Sequence, residues 1–104
     1  MTEGYVAVST GTLGNGEKRL VRVAGRDICL IMSEGKLYAL DDHCTHAGCS
    51  LADAGEADGS EIECTCHGSR FALATGAVTA SPADAPLERF DVRVENDRIL
   101  IRSV

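Results

Sequence analysis

Two short stretches hold most of the side chains that could do chemistry. The first runs from His43 to Leu51 (HCTHAGCSL) and the second from Cys64 to Phe71 (CTCHGSRF). Each offers one cysteine and one histidine at close spacing, as Cys44-x-His46 and Cys64-x-x-His67. Seventeen residues (47–63) lie between the two pairs, and each stretch carries one further cysteine, Cys49 and Cys66. Two thiolates and two imidazoles make a four-ligand set for a borderline metal. Zinc accepts such a set as a tetrahedron, but its sites usually bring cysteines in close pairs and histidines in close pairs. Here each loop mixes the two types, which suits a two-iron cluster with thiolates on one iron and imidazoles on the other. Neutral imidazoles leave that cluster less negative, so it accepts an electron more readily. The chain shows no nucleophile–base pair and no phosphate-binding loop, and no catalytic residue is assigned.

Holding two such loops face to face requires a rigid frame, and the patterning is that of strands. Helical periodicity is weak, while short apolar or alternating runs recur between turn signals. Candidate strands are Tyr5–Val8, Lys18–Val23, Ile28–Met32 and Leu37–Leu40, the last three in quick succession as a meander. Asn15-Gly16, Ala24–Asp27 and Ser33–Lys36 supply turns. Beyond the first Cys/His stretch, Ala52–Ser60 is small and acidic and reads as a connecting loop with room for a helical turn. Ile62 and Cys64 alternate with Glu61 and Glu63, so a short strand delivers the second stretch. Arg70–Leu73 and Val78–Thr79 flank Thr75-Gly76 as a hairpin. Ser81–Pro86 is stiffened by its two prolines. Phe90, Val92 and Val94 alternate with polar residues, and Glu95–Asp97 turns the chain into Ile99–Ile101.

At 104 residues the chain is read as one domain, with an apolar fraction of 44% and a charged fraction of 25%. A net charge of −6 argues against nucleic acid and favours basic docking patches on other proteins. The first residues, Met-Thr-Glu-Gly-Tyr, show no basic region or apolar run, so no signal peptide is expected, and no apolar run approaches the ~20 residues that span a bilayer. A cytoplasmic protein is expected, in which five cysteines serve metal or redox chemistry rather than a disulfide framework.

The sequence Cys-x-His, seventeen residues, Cys-x-x-His resembles the cluster-binding pattern of the Rieske family, with Gly48 and Gly68 following the two histidines. The resemblance covers about Tyr5 to Ile101. It includes the Gly68-Ser69 step, the Pro82–Pro86 loop and the closing strands. It implies an all-β domain over 1–104, a Rieske-like antiparallel β-sandwich with cluster loops at about 43–51 and 64–71 at one end. It also implies one 2Fe–2S cluster, with Cys44 and Cys64 on the buried iron and His46 and His67 on the outer one. Members of this size look like monomeric soluble ferredoxins, which are not themselves enzymes. They carry single electrons from an NAD(P)H-dependent flavoprotein reductase to a Rieske-type oxygenase; a carrier in another electron-transfer chain is the alternative.

The extra cysteines are similar to those of the cytochrome bc-type members, in which the second cysteine of each loop forms a disulfide. The resemblance therefore implies a bridge between Cys49 and Cys66. Ser69 matches a serine whose hydroxyl donates to a cluster sulfur, while the tyrosine of that class is replaced here by Phe71. For Cys49 and Cys66, two buried free thiols or a dithiol/disulfide sensor remain alternatives, as does a zinc-stabilised module for the quartet. Ser69 can also be read as a turn residue. Cys29, within Ile28–Ile31, reads as core. His43 reads as a surface or supporting residue, and Asp53–Glu61 as a solvated loop.

Overall fold

A computed structural model describes residues 4–45 and 48–103. His46 and Ala47, one of them an expected ligand, lie outside the described residues. Ten strands and one helical turn follow in order: β1 (Val6–Thr10), β2 (Lys18–Val23), β3 (Arg26–Ser33), β4 (Lys36–Asp41), α1 (Leu51–Ala54), β5 (Gly55–Asp58), β6 (Glu61–Cys64), β7 (Arg70–Ala72), β8 (Val78–Ala80), β9 (Arg89–Glu95) and β10 (Arg98–Ser103). They form two antiparallel sheets. The larger has the order β1-β10-β9-β4-β3-β2 and the smaller the order β5-β6-β7-β8.

The large sheet curls until its edge strands meet, where the Arg19 guanidinium on β2 donates to Ser9 Oγ (2.8 Å) and to the Thr10 carbonyl (3.0 Å) on β1. Three of its hairpins close through two residues with positive φ: Ala24–Gly25, Glu34–Gly35 and Asn96–Asp97. That backbone handedness matches the twist of the paired strands. Strand β3 is buried on both faces. Ile28 and Leu30 enter a core with Leu13, Ala39, Phe90, Ile99 and Ile101. Cys29 and Ile31, on the opposite face, enter a second core with Leu40, Leu51, Ile62, Phe71 and Leu73. A fully buried aliphatic side chain here contributes about 1.5–3 kcal/mol.

The small sheet is an insertion. Strands β4 and β9 are neighbours (Ala39↔Phe90, Leu40↔Arg89), and the Asp41 N–H donates to the Glu88 carbonyl at 2.8 Å. Residues 42–88 thus leave and re-enter the large sheet side by side. Strand β5 corrects the reading of Ala52–Ser60 as a loop. Its small residues Gly55 and Ala57 face inward and Glu56 and Asp58 outward, an alternation without large apolar side chains to signal it. The pairing with β6 (Gly55↔Cys64 to Asp58↔Glu61) makes it a strand. It also joins the sheets, because Lys18 Nζ donates to the Gly55 carbonyl and Ser33 Oγ to the Gly59 carbonyl (2.7 Å). Among the described residues no helix is long and apolar enough to cross a membrane.

Candidate metal centre

The two Cys/His stretches share one pattern of backbone hydrogen bonds. In the first, the Cys44 N–H donates to the Cys49 carbonyl (2.9 Å) and the Gly48 N–H to the Cys44 carbonyl (2.7 Å). In the second, the Cys64 N–H donates to the Ser69 carbonyl and the Gly68 N–H to the Cys64 carbonyl, both at 2.8 Å. Each loop therefore doubles back over its leading cysteine, with its glycine at φ +73° or +86°, a conformation costly for any residue with a Cβ. The same pair of bonds recurs at Ala72–Ala77, through Gly76 at φ +79°, but that loop carries no cysteine or histidine. The glycine four residues after Cys44 and after Cys64 was visible in the sequence and marks the two cysteine loops as alike.

The loops bring Cys44 and Cys64 together at the end of the second core, 3% and 1% exposed. Burial pushes the Cys64 thiol up. The Cys66 N–H directed at its sulfur pulls it down, the adjoining Cys44 thiol pushes it up again, and the His67 N–H pulls it down. The buried Cys64 thiol resists ionisation alone, and a bound cation supplies the charge that stabilises thiolate ligands. His67 is exposed at the tip of its loop. The side chains thus grade from buried sulfur to solvent-facing imidazole. This donor set fits a cluster held by sulfur on its inner side and nitrogen on its outer side.

The structure joins Cys49 to Cys66 in a disulfide, with Cα atoms 6.8 Å apart. The Cys49, Cys64 and Cys66 sulfurs lie within 4.8 Å of one another, so the bridge sits directly against the Cys64 thiol. Cys29 is separate, fully buried in the core beneath the site. Its thiol is pushed up to about 12, mainly by burial and further by the nearby Asp42 charge, with Lys18 opposing. Phe71 is also fully buried there and packs with Ile62 and Leu73.

Three further groups fix the loops. Asp42, 1% exposed, accepts from Ser50 Oγ (2.5 Å) and the Ala52 N–H (2.7 Å), tying the start of the first loop to its end. Thr65 donates to the Ala54 carbonyl through both its N–H (2.9 Å) and its hydroxyl (2.7 Å). The proline loop is held from both sides: Thr45 Oγ1 donates to the Ala85 carbonyl (2.7 Å), and the Ala83 N–H donates to Ser69 Oγ (3.0 Å). Ser69 is fully buried, and accepting from Ala83 leaves its own proton to donate. Sequence reasoning missed Asp42, Thr45 and Thr65, because a capping carboxylate and two loop hydroxyls have no spacing rule of their own. His43 is exposed, with its ring 3.5 Å from Asp27 and 3.4 Å from Asp41.

Comparison with known proteins agrees with this geometry. The model of the Rieske [2Fe-2S] domain matches residues 3–91. The chain is 33% identical over 103 residues to the ferredoxin component of naphthalene 1,2-dioxygenase/salicylate 5-hydroxylase systems from Ralstonia sp., covering 98% of each chain. Its fold matches the ferredoxin of carbazole 1,9a-dioxygenase from Nocardioides aromaticivorans IC177 with a TM-score of 0.85 and 33% identity, covering 96% of this chain and 98% of that one. A chain from the complex of reduced oxygenase and oxidised ferredoxin in carbazole 1,9a-dioxygenase matches with a TM-score of 0.85 and 30% identity, over 97% of this chain and 96% of that one. Mixed Cys/His loops, a buried thiol pair and this two-sheet fold have one common explanation: the chain belongs to the Rieske [2Fe-2S] family, as a ferredoxin carrying one such cluster.

Proposed function

We propose that this chain is the ferredoxin component of a Rieske-type dioxygenase system, taking single electrons from an NAD(P)H-dependent flavoprotein reductase and passing them to the oxygenase. The observation that carries the reading is the graded site, with Cys44 and Cys64 buried on facing loops and His67 exposed at the tip. Cys44 and Cys64 would hold one iron as thiolates, and His46 and His67 would hold the other through their imidazoles. When bound, the cluster supplies a one-electron centre of raised potential. The chain's own residues keep that centre fixed and dry on one side. Leu51, Ile62, Phe71 and Leu73 exclude water beneath the thiols, and the Cys66 and His67 N–H groups stabilise charge on Cys64. Ser69 would donate its remaining proton to a cluster sulfur. The Cys49–Cys66 bridge holds the loops together as a structural link, not a switch. Residues 1–104 act as one domain, monomeric and cytoplasmic.

The test is spectroscopic. Holoprotein reduced with dithionite should give the low-average-g EPR signal of a mixed-ligand two-iron cluster. It should also be reduced by NADH through a flavoprotein reductase of a related system. Cys44→Ala and Cys64→Ala should lose iron, while His67→Cys should keep some iron at a lower potential. Full iron and an unchanged spectrum in either alanine variant would refute the ligand assignment.

A further inference from the structure

Beside His67, the described residues exposed around the cluster loops are poor in charge. Thr45, Gly48, Cys66, Pro82, Ala85 and Pro86 are all exposed there, and none is ionisable in this bridged state. Asp84 stands among them. Its neighbours on either side are pinned, Ala83 by its N–H to Ser69 and Ala85 by its carbonyl to Thr45, so its backbone is fixed between the two cluster loops. Buried Ala83 and Leu87 anchor the loop beneath, and the Leu87 N–H donates to the Gly76 carbonyl at 2.8 Å. The Asp84 side chain is exposed and has no hydrogen-bond or ion-pair partner among the described residues. Elsewhere Asp41 and Glu88 pair with Arg26, Asp27 with Arg22, and Asp58, Glu61 and Glu63 with Arg70, while exposed Asp53 and Glu56 lie to one side on α1 and β5, off the proline loop.

We infer that Asp84 is the contact at which this tip recognises a redox partner, and that the partner presents an arginine or lysine set in an apolar surface opposite it. The inference rests on the electron-carrier reading above and specifies the chemistry of its docking face. When the apolar tip meets a partner and water leaves, Asp84 loses its solvation. A cation opposite it offsets that loss, and a surface without one is rejected. A short side chain on a braced loop has little freedom to lose on docking. One fixed charge therefore sets both the orientation and the sign of the partner.

The experiment uses reduced holoprotein and cytochrome c, a lysine-rich haem protein, as a basic acceptor. Its reduction is followed by stopped flow across a range of ionic strength, with the midpoint potential of every variant measured alongside. Asp84→Asn should slow the second-order rate at low salt by about fivefold, the worth of one contact ion pair in water, and flatten its salt dependence. Asp84→Glu should restore most of the rate. Asp97→Asn makes the same charge change at the β9–β10 turn, where Asn tolerates the positive φ of 62°, and should react as wild type does. Equal rates for Asp84→Asn and Asp97→Asn, or a slowing accounted for by a shifted potential, would overturn the inference. If wild-type holoprotein fails to reduce the acceptor at all, the carrier reading itself falls and takes the inference with it.

Discussion

Replacing both Cys49 and Cys66 by serine tests what the bridge does. The bridged residues are 17 apart in sequence. Closing a loop of that size restricts the open chain by about 3 kcal/mol in the chain-entropy picture. Folded, the loops keep their other ties: Thr45 to Ala85, Thr65 to Ala54, and Ala83 to Ser69. The variant should therefore fold, load its cluster and show the wild-type spectrum at 25 °C. The difference should appear when the loops part. If parting precedes loss of the cluster, removing the restriction speeds that loss by up to roughly a hundredfold, since each ~1.36 kcal/mol is a factor of ten in rate. Holoprotein does not melt as a two-state system, so the readout is a rate: bleaching of the visible absorbance at one fixed elevated temperature. A ten- to hundredfold acceleration is expected by this reasoning. Reductant added to wild type should produce the same acceleration. Bleaching rates equal to wild type would refute the idea that the bridge holds the loops shut.

Ser69→Ala removes the acceptor of the Ala83 N–H and, with it, the proposed donor to a cluster sulfur. It should lower the midpoint potential by tens of millivolts, on the order expected for losing one donor to a cluster sulfur. It should also cost about 1–3 kcal/mol of stability by leaving the Ala83 N–H without its partner. A stability loss with an unchanged potential would assign the serine to the proline loop alone. Gly76→Ala places a Cβ against the Leu87 carbonyl at a φ of +79°, and should cost at least ~1–3 kcal/mol in denaturant titration; wild-type stability would contradict the close approach. Acid should weaken the fold in a definite window. Hydrogen bonds from Arg70 to Glu61, from Arg26 to Glu88 and from Arg102 to Asp91 hold these carboxyls below their ordinary values. Depressed carboxylates stabilise fully above the unfolded value and lose that contribution as pH falls through the folded one. Stability should thus be level above pH 5, by about half a unit's margin, and fall below the ordinary glutamate value of 4.5. Because the groups are exposed, salt should blunt the fall; a decline already under way at pH 6 would point to other groups.

The legible parts of this molecule were those with a period or a fixed spacing. Alternation located β9, and the apolar run Ile28–Met32 between two turn signals located β3, with strand ends displaced by a residue or two. Cys44-x-His46 and Cys64-x-x-His67 marked the site because thiolate and imidazole in two loops have few other uses. Strand β5 was not legible, since Gly55 and Ala57 fill the core face with almost no apolar bulk and only pairing with β6 and the bonds from Lys18 and Ser33 define it. The braces were equally hidden. Thr45 reaches Ala85 across 40 positions and Ser69 reaches Ala83 across 14, contacts that exist only once both hairpins are in place. Asp42 reads as surface acid in Asp41-Asp42, and only the folded chain shows that it is buried.

The side-by-side exit and return of residues 42–88 makes the molecule a frame with a removable cassette. Asp41 and Glu88 meet in one backbone hydrogen bond, so the frame's strand order does not depend on what is spliced between them. Recombination at those two positions would move a whole cluster-binding unit between relatives without rerouting the large sheet. The graft would still be matched to its host at one wall. Cys29, Ile31 and Leu40 belong to the frame yet form the floor of the cassette's core, whereas Ile28 and Leu30, one step along the same strand, face the other way. Compatibility between a foreign cassette and this frame therefore rests on those three side chains, with Tyr38 beside them, and on the hydrogen bonds that Lys18 and Ser33 send across to Gly55 and Gly59.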